Sequence, residues 1–138
     1  RYDFQMEQNQ ALTIIDEAFE NKPDKVYRKS VKTFNEESYI ELTFISPAIG
    51  LKYQPLLDEL ESRIRWTLRI NPMPNQNEIF NVGARIFNEK EILLKKNLAY
   101  LPKEMMVKAV VNPIDPQTDE SIKEKFKQKT GLELIIST

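Results

Sequence analysis

The second half of this chain repeats the pattern of apolar residues found in the first half, displaced by 66 positions. Identical residues are few, although Pro47 falls on Pro113. The matched apolar pairs are Phe44 with Val110, Leu56 with Ile122, Leu60 with Phe126, Trp66 with Leu132, Leu68 with Leu134 and Ile70 with Ile136. A shared hydrophobic pattern at one register is typical of an old duplication. The alternative is that any two α/β units of similar length would align about as well.

The apolar residues of the first half indicate the order helix, strand, strand, helix, strand. Their spacing is helical over residues 9–20 and 56–64, and strand-like over residues 26–34, 39–45 and 66–70. The second half repeats this order. Its predicted elements are a helix capped by Asn75, strands over residues 92–100 and 105–111, a helix capped at Thr118 or Asp119, and a strand that follows Gly131.

Two prolines in three positions, Pro72 and Pro74, mark the best candidate for a linker. We therefore predict a first unit over residues 1–72 and a second unit over residues 73–138. The predicted fold class is α+β, with two tandem αββαβ units whose helices pack on small three-stranded sheets. In this alignment Leu42 falls on Lys108, so the two middle strands need not present the same face to the helices.

The 138 residues include no cysteine and no histidine. These absences remove cysteine nucleophiles, most zinc sites and the commonest general base. The three glycines, at positions 50, 83 and 131, each stand alone, which rules out a glycine-rich phosphate loop. Carboxylates are numerous, but acids on helix faces and in first turns are ordinary. We expect no enzymatic activity, no metal site and no cofactor.

Twenty Lys and Arg residues against twenty-one Asp and Glu residues leave a formal charge of −1. A nucleic acid could then be attracted only by a local cationic patch. The residues predicted to form such a patch are Lys52, Tyr53, Arg63, Arg65 and Arg69. Arginine beside an aromatic ring can hold a phosphate and stack a base. The alternative is a core tryptophan, Trp66, surrounded by a solvated rim of arginines.

One glycine of the first half stands in a recognisable setting. Ser46, Pro47, Ala48, Ile49 and Gly50 lead into the helix over residues 56–64 and the strand over residues 66–70, and this arrangement resembles a type II KH domain. That family binds single-stranded RNA or DNA, and its loop has two glycines separated by two residues. Here Leu51, Lys52 and Tyr53 follow Gly50, and the second copy has Pro113, Ile114, Asp115 and Pro116 without a glycine. The resemblance therefore implies two tandem, degenerate KH-like modules.

The element order is also similar to that of BON domains and of the ring-building motifs of bacterial secretion and sporulation rings. Those modules contact proteins or lipid and perform no chemistry. Like the KH resemblance, this one covers about half of the chain per copy and depends on element order. A shared fold does not by itself define a function.

From these observations we expect a non-catalytic accessory module that binds single-stranded nucleic acid, RNA more than DNA. The alternative is a protein-interaction or assembly module that makes contact through a sheet face or an edge strand. The apolar runs are too short to span a bilayer. Because the chain begins at Arg1 without an initiator Met, we expect a piece of a longer protein. We expect a cytoplasmic location, with an exported assembly component as the alternative.

Overall fold

The computed structural model describes residues 5–138, and in it the chain divides into two compact units. The first unit ends at Pro74, and the second spans Asn75–Thr138. Each unit combines helices with a three-stranded sheet in the predicted order, which confirms the α+β class and the two tandem αββαβ units.

The sheet of the first unit has the strand order β1-β2-β3. Strand β1 is antiparallel to β2, and β2 is parallel to β3. The elements of this unit are α1 (Gln8–Phe19), β1 (Arg28–Phe34), β2 (Glu37–Thr43), α2 (Pro47–Lys52), α3 (Gln54–Ile64) and β3 (Thr67–Ile70). The parallel pair is joined by the two helices α2 and α3, as parallel neighbours require a crossover connection.

Local signals account for α1 and for the hairpin. The Glu7 carboxylate caps α1 by accepting hydrogen bonds from two backbone N–H groups of its first turn, at 2.9 and 3.1 Å. Ala11, Ile15 and Phe19, each four residues apart, are the buried face of this helix. Strands β1 and β2 are joined by Asn35 and Glu36, which both have positive φ as a two-residue hairpin turn requires.

Helix α2 is a departure from the sequence prediction, which placed a loop ahead of the second helix. The Ser46 hydroxyl caps α2 by accepting a hydrogen bond from a backbone N–H at 3.3 Å, and Pro47 occupies the start of the helix. Gly50 lies inside α2 and is buried against Phe44 and Ile70. The first unit therefore has the finer order αββααβ.

The second unit repeats the sheet topology with the strand order β4-β5-β6, antiparallel and then parallel. Its elements are α4 (Gln76–Glu89), β4 (Ala99–Leu101), β5 (Met106–Val110), α5 (Pro116–Thr130) and β6 (Glu133–Ser137). Strand β4 is shorter than the predicted strand over residues 92–100. Leu94 pairs with Val111 in an isolated bridge, and bends at Lys95 and Lys96 then interrupt the ladder.

The displacement between the units is not constant along the chain. At the ends of α3 and α5 the displacement is 66, because Arg65 and Gly131 both take the left-handed conformation that ends these helices. In the middle strand it is 67 (42 to 109), because Leu42 pairs with Ile70 and Ala109 pairs with Ile136. The apparent match of Leu42 with Lys108 is therefore a slip of one residue in the sequence alignment.

Candidate nucleic-acid interface

The end of α2 and its junction with α3 carry two solvent-exposed side chains. We call this segment the α2–α3 corner and define it as Leu51, Lys52 and Tyr53. Leu51 is 63% exposed and the Lys52 side chain is 52% exposed. The Tyr53 N–H donates to the Gly50 carbonyl at 3.0 Å, which ends α2. No side chain caps the start of α3, and Pro55 in its first turn has no backbone N–H, so the first turn offers fewer donors than an ordinary helix start.

Tyr53 is held in place by an aromatic cluster. Its ring stacks on Phe44, with ring centroids 5.9 Å apart and planes 7° apart, and meets Phe19 edge-on at 5.3 Å. One face of the Tyr53 ring is thus occupied by the core. Tyr53 fixes the corner to α1 and to the end of β2, and its ring cannot offer that face to a base.

Asp24 connects the corner to the loop between α1 and β1. Its Oδ2 accepts a hydrogen bond from the Tyr53 hydroxyl at 2.7 Å and lies 3.5 Å from the Lys52 ammonium. Burial and the hydrogen bond to this carboxylate raise the pKa of the Tyr53 phenol to about 12, so the phenol is neutral at physiological pH. Sequence reasoning missed Asp24, whose only local signal is a turn after Pro23.

The loop that carries Asp24 adds cations to this part of the surface. Lys22 and Lys25 flank Asp24 in sequence and are exposed, and the Lys25 ammonium lies 5.2 Å from the centre of the Tyr27 ring. With Lys52 they make three exposed lysines that are close to Asp24 in sequence or in contact with it. The exposed acids Asp16 and Glu20 lie near Lys22 and Lys25, and Asp16 is paired with Lys29.

Arg63 and Arg65 lie at the opposite end of α3 from Lys52 and Tyr53. At about 1.5 Å per residue, the length of the helix separates the two places by about 15 Å. Both arginines are exposed, and neither takes part in an ion pair among residues 5–138. Exposed acids on α3, Asp58 and Glu59, lie between the two places in sequence.

Arg69 belongs to a third place, on the sheet. Strand alternation puts it on the face opposite to the buried residues Ile40 and Leu42. Its guanidinium lies 4.6 Å from the centre of the Tyr39 ring, and its strand neighbour Glu41 is paired with Lys32 at 2.9 Å. The structure thus brings together Lys52 and Tyr53, and it separates them from Arg63 and Arg65 and from Arg69.

Trp66 is part of the core and offers no stacking surface. It is 6% exposed, and its indole N–H donates to the Met6 carbonyl at 2.7 Å. This agrees with the alternative in which Trp66 is a core residue.

The second unit has no counterpart of the α2–α3 corner in the described structure. It lacks a helix between β5 and α5, and Asp115 caps α5 by accepting a hydrogen bond from the Thr118 N–H at 2.6 Å. This hydrogen bond holds the pKa of the Asp115 carboxyl below its usual value. A carboxylate thus occupies the helix N-terminus, where it would repel a phosphate.

The second unit carries instead an apolar groove at the end of α4. Leu93 is 84% exposed beside it. The groove has a volume of about 400 Å³ and is lined by Ala84, Arg85, Phe87, Asn88, Ile92, Leu93 and Leu94. We call it the Leu93 groove. Lys95 and Lys96 follow the lining segment directly and are exposed.

In the described part of the chain, no group of three or more acidic side chains is arranged to hold a metal ion. Among the helices within residues 5–138, none is both long and apolar enough to cross a bilayer.

Comparison with known proteins adds no relative. The chain matches no protein-family model, and a search of curated proteins finds no sequence similar to it.

Proposed function

We propose that the first unit binds single-stranded nucleic acid, RNA more than DNA, at the α2–α3 corner. The observation that carries this proposal is the exposed Lys52 on a turn that Tyr53 holds rigidly against the core. Because the backbone that carries Lys52 is held by Tyr53, no loop has to be ordered when a phosphate binds. The proposal concerns a binding module without catalysis of its own.

Three further features of the corner favour this ligand. The neighbouring loop adds two exposed lysines, Lys22 and Lys25, which attract a phosphate backbone. The start of α3 has no side-chain cap and adds the positive end of a helix. The exposed Leu51 side chain offers an apolar contact for the face of an unstacked base.

The remaining predicted residues enter the proposal in a weaker way. A strand that reaches from the corner to Arg63 and Arg65 would have to pass the length of α3, which exposes Asp58 and Glu59. Repulsion from these acids favours a short binding site at the corner over a long one along the helix. Arg63, Arg65 and Arg69 stay predicted contacts that substitution can test.

The test is a titration of the chain into fluorescein-labelled single strands of about 12 nucleotides, RNA and DNA of the same sequence. Anisotropy would be followed at about 50 and 200 mM salt. We expect salt-sensitive binding that is stronger for RNA. The Lys52→Ala variant should weaken binding about two- to fivefold and flatten the salt dependence, by about 0.7 in log–log slope for one lost phosphate contact.

The matched control is Lys96→Ala, an exposed lysine of the second unit, which should leave binding unchanged. A variant with Arg63→Ala and Arg65→Ala together tests the far end of α3. If neither RNA nor DNA binds at either salt concentration, the proposal is wrong for this chain.

A second function, assembly through protein contacts, is favoured by the Leu93 groove. Leu93 lines this apolar groove and is 84% exposed, so a single side chain leaves a large apolar area in contact with water. The partner that we propose is a second copy of the chain, because a net charge of −1 leaves little repulsion between copies. In this function the chain would resemble the ring-building or BON-like modules.

A further inference from the structure

We infer that Asp24 is a counter-charge, which competes with phosphate for Lys52 and weakens binding of nucleic acid at the α2–α3 corner. The inference rests on the proposed function and deepens it. In this inference one carboxylate controls the affinity of the corner for a phosphate and the salt dependence of that affinity.

The position of Asp24 is fixed by Tyr53. The Tyr53 hydroxyl donates to Oδ2 of Asp24 at 2.7 Å, while the Tyr53 ring is packed against Phe44 and Phe19. The Asp24 side chain is only 11% exposed. The carboxylate therefore cannot turn away when another anion approaches.

Lys52 is the mobile partner of this arrangement. Its side chain is 52% exposed, and its ammonium lies 3.5 Å from the same oxygen, Oδ2 of Asp24. A phosphate that binds Lys52 must either draw the ammonium away from Asp24 or remain close to a negative charge. Both alternatives reduce the gain in free energy from the phosphate contact.

The negative charge of Asp24 is not needed to hold the corner together. The Tyr53 hydroxyl requires only an oxygen acceptor, and the amide oxygen of an asparagine would serve. Asp24→Asn therefore removes the charge while it keeps the size of the side chain and an acceptor for Tyr53. This separates an electrostatic role from a structural one.

The experiment combines Asp24→Asn and Lys52→Ala in a double-mutant cycle on the whole chain, with the labelled RNA of about 12 nucleotides as the probe. We expect Asp24→Asn to tighten binding about two- to fivefold at low salt, which is the range of an exposed ion pair. We also expect a steeper salt dependence, by less than about 0.7 in log–log slope, since Asp24→Asn strengthens a contact that Lys52 already makes with one phosphate. The double variant should bind no better than Lys52→Ala alone.

Two controls distinguish the charge from other effects. Glu104→Gln changes the net charge equally on the turn between β4 and β5 and should leave the affinity unchanged. Tyr53→Phe removes the hydrogen bond but keeps the Asp24 charge, so it should not tighten binding. If loosening of the loop caused the gain, Tyr53→Phe would tighten binding as well, and this result would overturn the inference.

The remaining outcomes separate this inference from the proposed function. RNA binding that is unchanged by Asp24→Asn, in a variant with an unaltered circular dichroism spectrum, overturns the inference and leaves the proposed function standing. A gain that persists in the Lys52→Ala background also overturns it, because the effect would not act through Lys52. Absence of binding by the unchanged chain and by Asp24→Asn overturns both.

Discussion

Gly50 shows how tightly one residue can be constrained inside α2. A β-carbon at this position would lie 2.8 Å from Cδ1 of Phe44 and 2.9 Å from Cγ2 of Ile70. Neither distance is compatible with a carbon–carbon contact in a well-packed core. Gly50 thus allows α2 to approach β2 and β3 closely, and it helps to present the corner that follows.

We predict that Gly50→Ala destabilises the first unit. Because a β-carbon would meet two side-chain atoms at less than 3.0 Å, overpacking should cost up to about 3 kcal/mol, which outweighs the gain of about 1 kcal/mol from the better helix propensity of alanine. Urea unfolding followed by the fluorescence of Trp66 measures the effect, because the single tryptophan is buried in the first unit. Leu51→Ala, at an exposed position of α2, is the control. Equal unfolding midpoints for all three chains would contradict the packing argument.

The helices that follow the hairpins show how one element can be built in two ways. In the first unit, α2 and α3 form a corner, whereas in the second unit α5 is one continuous helix. A proline starts the first helix after the hairpin in both units, Pro47 in α2 and Pro116 in α5, but α2 ends after six residues whereas α5 continues to Thr130. At the start of α5 the Asp115 carboxylate satisfies a backbone N–H that α3 leaves without a side-chain partner. Of α3 and α5, only α5 therefore has a carboxylate at its start.

We predict that Asp115→Ala lowers the thermal midpoint of the second unit near neutral pH. The folded state holds the pKa of Asp115 below its usual value of 3.8, so the cap stabilises the fold above that pH. Its contribution is lost as the pH falls through the lowered pKa. Circular dichroism melts at several pH values should therefore converge for the two chains in acid. Asp115→Asn retains a cap and should melt like the unchanged chain near neutral pH.

The chain as a whole is nearly neutral, and its two units expose different side chains. The α2–α3 corner of the first unit exposes Lys52 and Leu51, whereas the Leu93 groove of the second unit is apolar. The lysines of α5 add little to any cationic surface, because Lys123, Lys125 and Lys127 are each paired with a carboxylate. The two units therefore offer chemically different surfaces, which suits binding to two kinds of partner.

At this scale we predict weak self-association through the Leu93 groove. The sedimentation coefficient should rise with protein concentration, because burial of Leu93 between copies removes apolar surface from water. Leu93→Asp should abolish the rise. Leu51→Asp, which changes an exposed leucine of the first unit, should leave it intact. A coefficient that is constant over the whole concentration range would rule out assembly of copies through this groove.

The element order and the α+β class could be predicted from the sequence, because the spacing of apolar residues and the positions of caps and prolines are local properties of the chain. Helix α2 was not predicted, because its six residues are too few to show a repeating helical pattern and they include Gly50. The displacement of 67 in the middle strand was not predicted either, because strand register depends on pairing between distant segments.

The candidate site divides in the same way. Lys52 and Tyr53 are neighbours in sequence, and they could be predicted as a pair at the start of a helix. Their separation from Arg63 by the length of α3, and from Arg69 by the sheet, depends on how the elements pack. Asp24 and Tyr53 are 29 positions apart, so only the tertiary structure brings this carboxylate to the phenol. A hydrogen bond between residues so far apart produces no periodic pattern in the sequence, because neither residue needs a particular neighbour in the chain to form it.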